Sequence, residues 1–153
     1  MKTIEVIVEH AGKNLSAYIE GAPIITVGND IKEIENHVRE AIALYLEDKS
    51  SFRDRQLLKE RERIMQGNQA VIDYMNELLS GEFELRFKVD AATFINYYSK
   101  IFTQSALSRI TGIDERQLVY YAAGVQKPQK RQLEKIQNGI RSLTKELSGI
   151  HLL

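Results

Sequence analysis

Between residues 104 and 130 the chain carries Gln104, Ser105, Glu115, Arg116, Gln117, Tyr120, Lys127 and Lys130, and these residue types share one chemistry. Arginine and glutamine make paired hydrogen bonds to base edges, and a glutamate accepts from a cytosine amino group. Lysine ammonium, serine hydroxyl and glutamine amide groups hold phosphate oxygens without reading sequence. The question is which elements could aim them together.

The stretch TQSALSRITGIDERQLVYYAAGVQKP spaces two short helices about one tight turn. Leu107 and Ile110 give the first an apolar face, Gly112 supplies a position where positive φ is cheap, and Asp114 can cap the second. Leu118 and Tyr121 bury that second helix, with Ile113 in the corner. Glu115, Arg116, Gln117 and Tyr120 then fall on its opposite face, where a recognition helix meets a major groove. Gln104 and Ser105 sit at the start of the first helix, beside N–H groups able to hold a phosphate, and Ser108 is small where the helices cross. Gly124 ends the second helix, Pro128 can open another, and Lys127 and Lys130 follow. Two amphipathic helices joined at a glycine also occur in hairpins that never touch nucleic acid. The order resembles the Cro/repressor-type (XRE-like) helix-turn-helix over this whole stretch. It departs in having Ser108 where alanine or glycine is usual and Thr111 where a larger apolar residue is common.

The 153 residues allow one domain or two small ones. Halves of this size bury too little surface to be strongly stable alone, so they pack on one another or dimerise. No run has membrane-spanning length, and Glu5 and Glu9 interrupt the first apolar stretch, unlike a secretory signal; a cytoplasmic address is expected. Zero cysteines exclude disulfides and thiolate metal sites. The zero net charge is a cancellation: residues 1–47 hold 4 cations and 8 anions, 48–99 hold 8 and 9, and 100–153 hold 9 and 4. A basic half joined to an acidic one is expected of a DNA reader attached to a module that avoids DNA or binds a basic partner.

Ile4, Val6 and Val8 alternate with Glu5 and Glu9 as a half-buried strand. Leu15, Ala17 and Ile19 form a second, and IITV after Pro23 a third. Asp30 and Glu33 are spaced as a capping box for a helix striped by Ile31, Ile34, Val38, Ile42 and Tyr45, ending near Glu47. Residues 48–80 read as two helices. The mixed-sign run from Arg53 to Arg63 is a solvated face, or else a partner or nucleic-acid surface. FELRFKV is a strand with Phe83, Leu85, Phe87 and Val89 on one side, expected to return to the first sheet. Asp90 can cap a helix whose stripe of Phe94, Tyr97, Tyr98 and Ile101 reads as core in preference to a base-stacking platform. The final helix carries Leu133, Ile136, Ile140, Leu143 and Leu147 and stops at Gly149. The tail from Ile150 to Leu153 is expected to pair as a strand, within its own domain or with a second subunit.

The fold class is therefore α+β: a small β-β-β-α-β unit over 1–89 with a helical insert at 48–80, followed by an all-α domain over 90–153. This order resembles the HicB antitoxin family. The resemblance covers 1–47 and 81–153 and is closest in GEFELRFKVDAATFINYYSKIFTQSALSRITGIDERQLVYYAAGVQKP and QLEKIQNGIRSLTKEL. It implies a partly degenerate RNase H-like N-terminal unit that blocks a small basic ribonuclease, a HicA-like toxin. It further implies a C-terminal helix-turn-helix domain that binds double-stranded operator DNA as a homodimer or dimer of dimers and represses its operon. HAGKNLSAYIEGAPIITVGND departs from a more Gly- and Pro-marked motif in the family, and the 48–80 stretch is longer than its usual connection. The alternative is a free-standing transcriptional regulator without a toxin.

An enzyme is the rival class, prompted by the RNase H-like resemblance. Two-metal hydrolysis needs several converging carboxylates, and Glu5 and Glu9 on one strand have no obvious companions. His10, His37 and His151 are scattered singly. No catalytic residue, cofactor or metal is expected. A third class is a pure interaction module whose two-helix unit is structural.

Overall fold

The computed structural model describes residues 1–47 and 69–153, which divide into two compact units, Met1–Val89 and Asp90–Leu153. Together they hold an α+β set of a four-stranded mixed sheet and six helices. The first helix expected within 48–80, and with it the run from Arg53 to Arg63, lies outside the described residues.

In the first unit, β1 (Lys2–Ala11), β2 (Asn14–Ile19) and β3 (Ile25–Gly28) form an antiparallel meander. After α1 (Ile31–Glu47) and α2 (Gln69–Leu79), β4 (Phe83–Val89) returns to pair with β1 in parallel, giving the strand order β3-β2-β1-β4. A parallel neighbour needs a long crossover, which the helical segment provides. One sheet face buries Ile4, Val6, Val8, Leu15, Ala17 and Ile19, and the stripe Ile34, Val38, Ile42 and Tyr45 of α1 is buried with them. The α1 cap closes reciprocally: Glu33 N–H donates to Asp30 Oδ1 at 2.7 Å, and Glu33 Oε2 accepts from Asn29 N–H at 2.6 Å. The glutamate thus reaches one residue further back than a standard capping box.

The second unit begins with α3 (Ala91–Tyr97), capped by Asp90, whose Oδ1 accepts from Thr93 N–H at 2.7 Å. The chain then tightens into a 3-10 turn, Tyr98–Lys100. That turn corrects the expected stripe. Ala91 and Ile95 are buried and Phe94 packs on them, while Ile101, beyond the turn, is 70% exposed. Two short helices follow, α4 (Gln104–Thr111) and α5 (Glu115–Ala122), and then the long α6 (Lys130–Ser148). Leu107, Ile113, Leu118, Tyr121 and Ile136 complete the core. Gly139 is where α6 meets α4: a Cβ there would lie 2.6 Å from the Ile110 carbonyl oxygen. α6 starts two residues after Pro128, with Gln129 as its cap. The tail from Ile150 to Leu153 forms no strand, which removes the expected pairing within its own domain: its side chains are exposed and it follows directly from the end of α6. Among the described residues, no helix is long and apolar enough to cross a membrane.

Candidate nucleic-acid interface

The α4–α5 pair is built from local hydrogen bonds that leave little freedom in the turn. Thr103 caps α4, its side chain accepting from Ala106 N–H at 3.0 Å. Gly112 ends the helix at φ 71°, a left-handed value that costs other residues roughly 1–2 kcal/mol. Ser108 Oγ donates to the Ile113 carbonyl at 2.6 Å, Thr111 Oγ1 donates to the Leu107 carbonyl at 2.7 Å, and Ile113 N–H donates back to Thr111 Oγ1 at 3.2 Å. Both residues that depart from the repressor pattern therefore serve the turn. Asp114 caps α5, its Oδ1 accepting from Arg116 N–H at 2.9 Å, and Asn96 Nδ2 donates to the Ala122 carbonyl at 2.8 Å, tying α3 to the far end of α5.

Helical spacing then decides which side chains face out. Leu118 and Tyr121 are buried, so Arg116 and Tyr120, one turn apart, project on the side opposite them. Arg116 is exposed and Tyr120 is 40% exposed. Glu115 and Val119 flank them on one border and are exposed as well. Val119 was not among the expected contacts; its place one helical turn from Glu115 was the available signal.

Gln117 lies on the other border, next to Tyr121, and is only half-buried. Its Nε2 donates to Gln126 Oε1. Gln126 is brought there by the α5 C-terminus, where Val125 N–H donates to the Tyr120 carbonyl at 3.1 Å and Gly124 turns the chain at φ 71°. The two glutamines line a cleft of about 590 Å³ with Asp114, Lys127, Gln132 and Lys135. Lys130, exposed at the first position of α6, does not line it. Lys135 does; it directly precedes the core position Ile136, and no apolar pattern of its own marks it in the sequence.

The α4 end is less open than expected. Ser105 is exposed, but the Gln104 carbonyl oxygen Oε1 is buried without a hydrogen-bond partner, so this side chain is turned partly inward. In the first unit, Glu5 pairs with Lys88 at 2.8 Å, and Glu9 sits four residues along the same strand, roughly 13 Å away at strand rise. Those two carboxylates cannot share one metal. Among the described residues no group of three or more His, Asp or Glu is placed to hold a metal ion.

Compared with protein-family models, with curated proteins and with solved structures, the chain matches none.

Proposed function

We infer that Asp90–Leu153 is a sequence-reading DNA-binding unit in which α4 and α5 form a repressor-type helix-turn-helix and α5 enters the major groove. The observation that carries this reading is the two-sided α5: Leu118 and Tyr121 buried, Arg116 and Tyr120 exposed opposite them. Its charge supports it, since residues 90–153 hold 9 cations against 5 anions. Arg116 is the base reader, Tyr120 and Glu115 shape the contact, and Lys127 and Lys130 hold phosphates. The test is Arg116→Ala measured on a selected duplex and on scrambled duplex. A loss of about 1–3 kcal/mol confined to the selected site supports the reading; equal affinity for both before and after the change refutes it.

The unit acts as a homodimer or dimer of dimers on this reading. α6 presents Leu133 and Leu147 to solvent on the stripe that continues from its buried Ile136, and Ile150, just beyond its end, is exposed as well. A repressor-type unit reads two half-sites through such a partner.

The first unit is proposed as a non-enzymatic antitoxin module of partly degenerate RNase H-like type, taking a small basic HicA-like toxin in the cytoplasm. Supporting this are the β-β-β-α-α-β order of its described elements, with α2 in the helical insert, the acidic charge of residues 1–47, and a cleft of about 420 Å³ whose walls include Glu5, Glu20, Thr3 and Tyr74. Recovery of a small basic protein on the full chain, lost in a Glu5→Lys/Glu20→Lys variant, supports the module. Its absence, with DNA binding intact, leaves a free-standing regulator.

A further inference from the structure

The cleft beside α5 gives Gln117 a different task from its neighbours. Its amide is already tied to Gln126, it stands on the border of α5 rather than at the crest with Arg116 and Tyr120, and it faces a space shared with two ammonium groups. We propose that this cleft holds one phosphate group of the DNA backbone, with Lys127 and Lys135 as its cations and the Gln117–Gln126 pair as a fixed bracket of amide donors. Gln117 is then a backbone-positioning residue and not a base reader. The inference rests on the DNA-binding reading above.

The arrangement suits a phosphodiester in three respects. Nε2 of Gln117 spends one hydrogen on Gln126 and keeps one, while the Gln126 amide keeps both of its own, so the pair still offers donors after bonding to itself. Lys135 is half-buried along α6, so less side-chain freedom is lost when it binds than for a fully exposed lysine. The carboxylate in the wall, Asp114, has one oxygen engaged with Arg116 N–H, and its single charge is outweighed by the two lysines. A base edge would have to be met from the crest of α5, and the bond to Gln126 holds the Gln117 amide toward the cleft instead.

The experiment uses the full chain, its selected duplex and a scrambled duplex, over a range of salt, with urea midpoints confirming that each variant is folded. Lys127→Gln and Lys135→Gln together are expected to weaken both duplexes alike, roughly eightfold at 0.1 M salt, and to reduce the salt slope by about 0.9, the counterion contribution of one phosphate. Gln117→Ala and Gln126→Ala are expected to weaken both duplexes by the same factor and leave base preference unchanged. An unchanged slope when both lysines are replaced, or a loss in Gln117→Ala confined to the selected duplex, overturns the inference while leaving DNA binding in place. Failure of the wild-type chain to prefer any duplex overturns the DNA-binding reading itself. Saturable binding of inorganic phosphate that needs Lys135, with duplex affinity indifferent to it, would assign the cleft to a free phosphate and overturn the backbone role.

Discussion

Ser108 Oγ donates to the carbonyl of Ile113 across the turn between α4 and α5, at 2.6 Å, and so holds the first helix to the start of the second. Thr111 makes the companion contacts from a buried position, donating to Leu107 and accepting from Ile113 N–H. The two sites differ in what a deletion leaves behind. Ser108→Ala removes one partner of a carbonyl, costing about 1 kcal/mol, of which about 0.5 is returned by the better helix propensity of alanine. Thr111→Val keeps the shape and leaves Ile113 N–H buried without that acceptor, costing about 1–3 kcal/mol. Hydrogen exchange at the Ile113 amide should therefore accelerate much more in Thr111→Val than in Ser108→Ala, and the reverse order would refute this account of the turn.

Gly139→Ala is expected to be the most damaging single methyl in the second unit. Its Cβ would meet backbone, the Ile110 carbonyl, at 2.6 Å, so a helix must move and not merely a side chain. Overpacking of that kind costs about 1–3 kcal/mol. Gly112→Ala meets nothing within 4 Å and suffers only from its φ of 71°, at roughly 1–2 kcal/mol. Urea midpoints read for the second unit check the pair. Gly139→Ala should also loosen DNA binding, because α6 carries Lys135.

The stripe on α6 predicts an oligomer that can be broken without unfolding the protein. Leu147 is 56% exposed and Leu133 45% exposed within one chain, so charging them removes little internal packing. Leu147→Glu should shift sedimentation from dimer to monomer and change the unfolding free energy of the monomer itself by less than about 0.5 kcal/mol. A wild-type chain that sediments as a monomer at concentrations saturating its DNA would contradict the two-half-site reading.

The Glu5–Lys88 pair is exposed on both sides, about half for each side chain. Glu5→Gln is expected to change stability by less than about 1 kcal/mol. If the first unit were instead a metal-dependent nuclease, the same change would abolish RNA cleavage in the presence of Mg²⁺ or Mn²⁺, and observing such variant-sensitive turnover would overturn the non-enzymatic reading.

Periodicity made the elements legible. The alternation of Ile4, Val6 and Val8 and the stripe from Ile34 to Tyr45 state their partners' faces directly, and Gly112 with Asp114 marks a turn that only a few residue types permit. What periodicity could not state is where a helix gives way. The tyrosines at 97 and 98 continue a helical stripe in sequence, but the chain tightens there and Ile101 swings out to solvent. The border of α5 was illegible for a similar reason. Gln117 sits at recognition-helix spacing, and its turn toward the cleft depends on Gln126, nine residues away, which arrives only because the chain reverses at Gly124. Lys135 belongs to the same class, since its neighbours in the cleft come from three separate segments.

The most direct test of the central claim is selection of duplexes from a random pool by the full-length chain, followed by affinity measurement on the enriched sequence at fixed salt. The account predicts an enriched inverted repeat with half-site centres about one helical turn apart, bound at least about 10³-fold more tightly than scrambled duplex and losing that preference in Arg116→Ala. A pool that emerges without a motif, or a motif bound equally well after Arg116→Ala and Tyr120→Ala together, would contradict it.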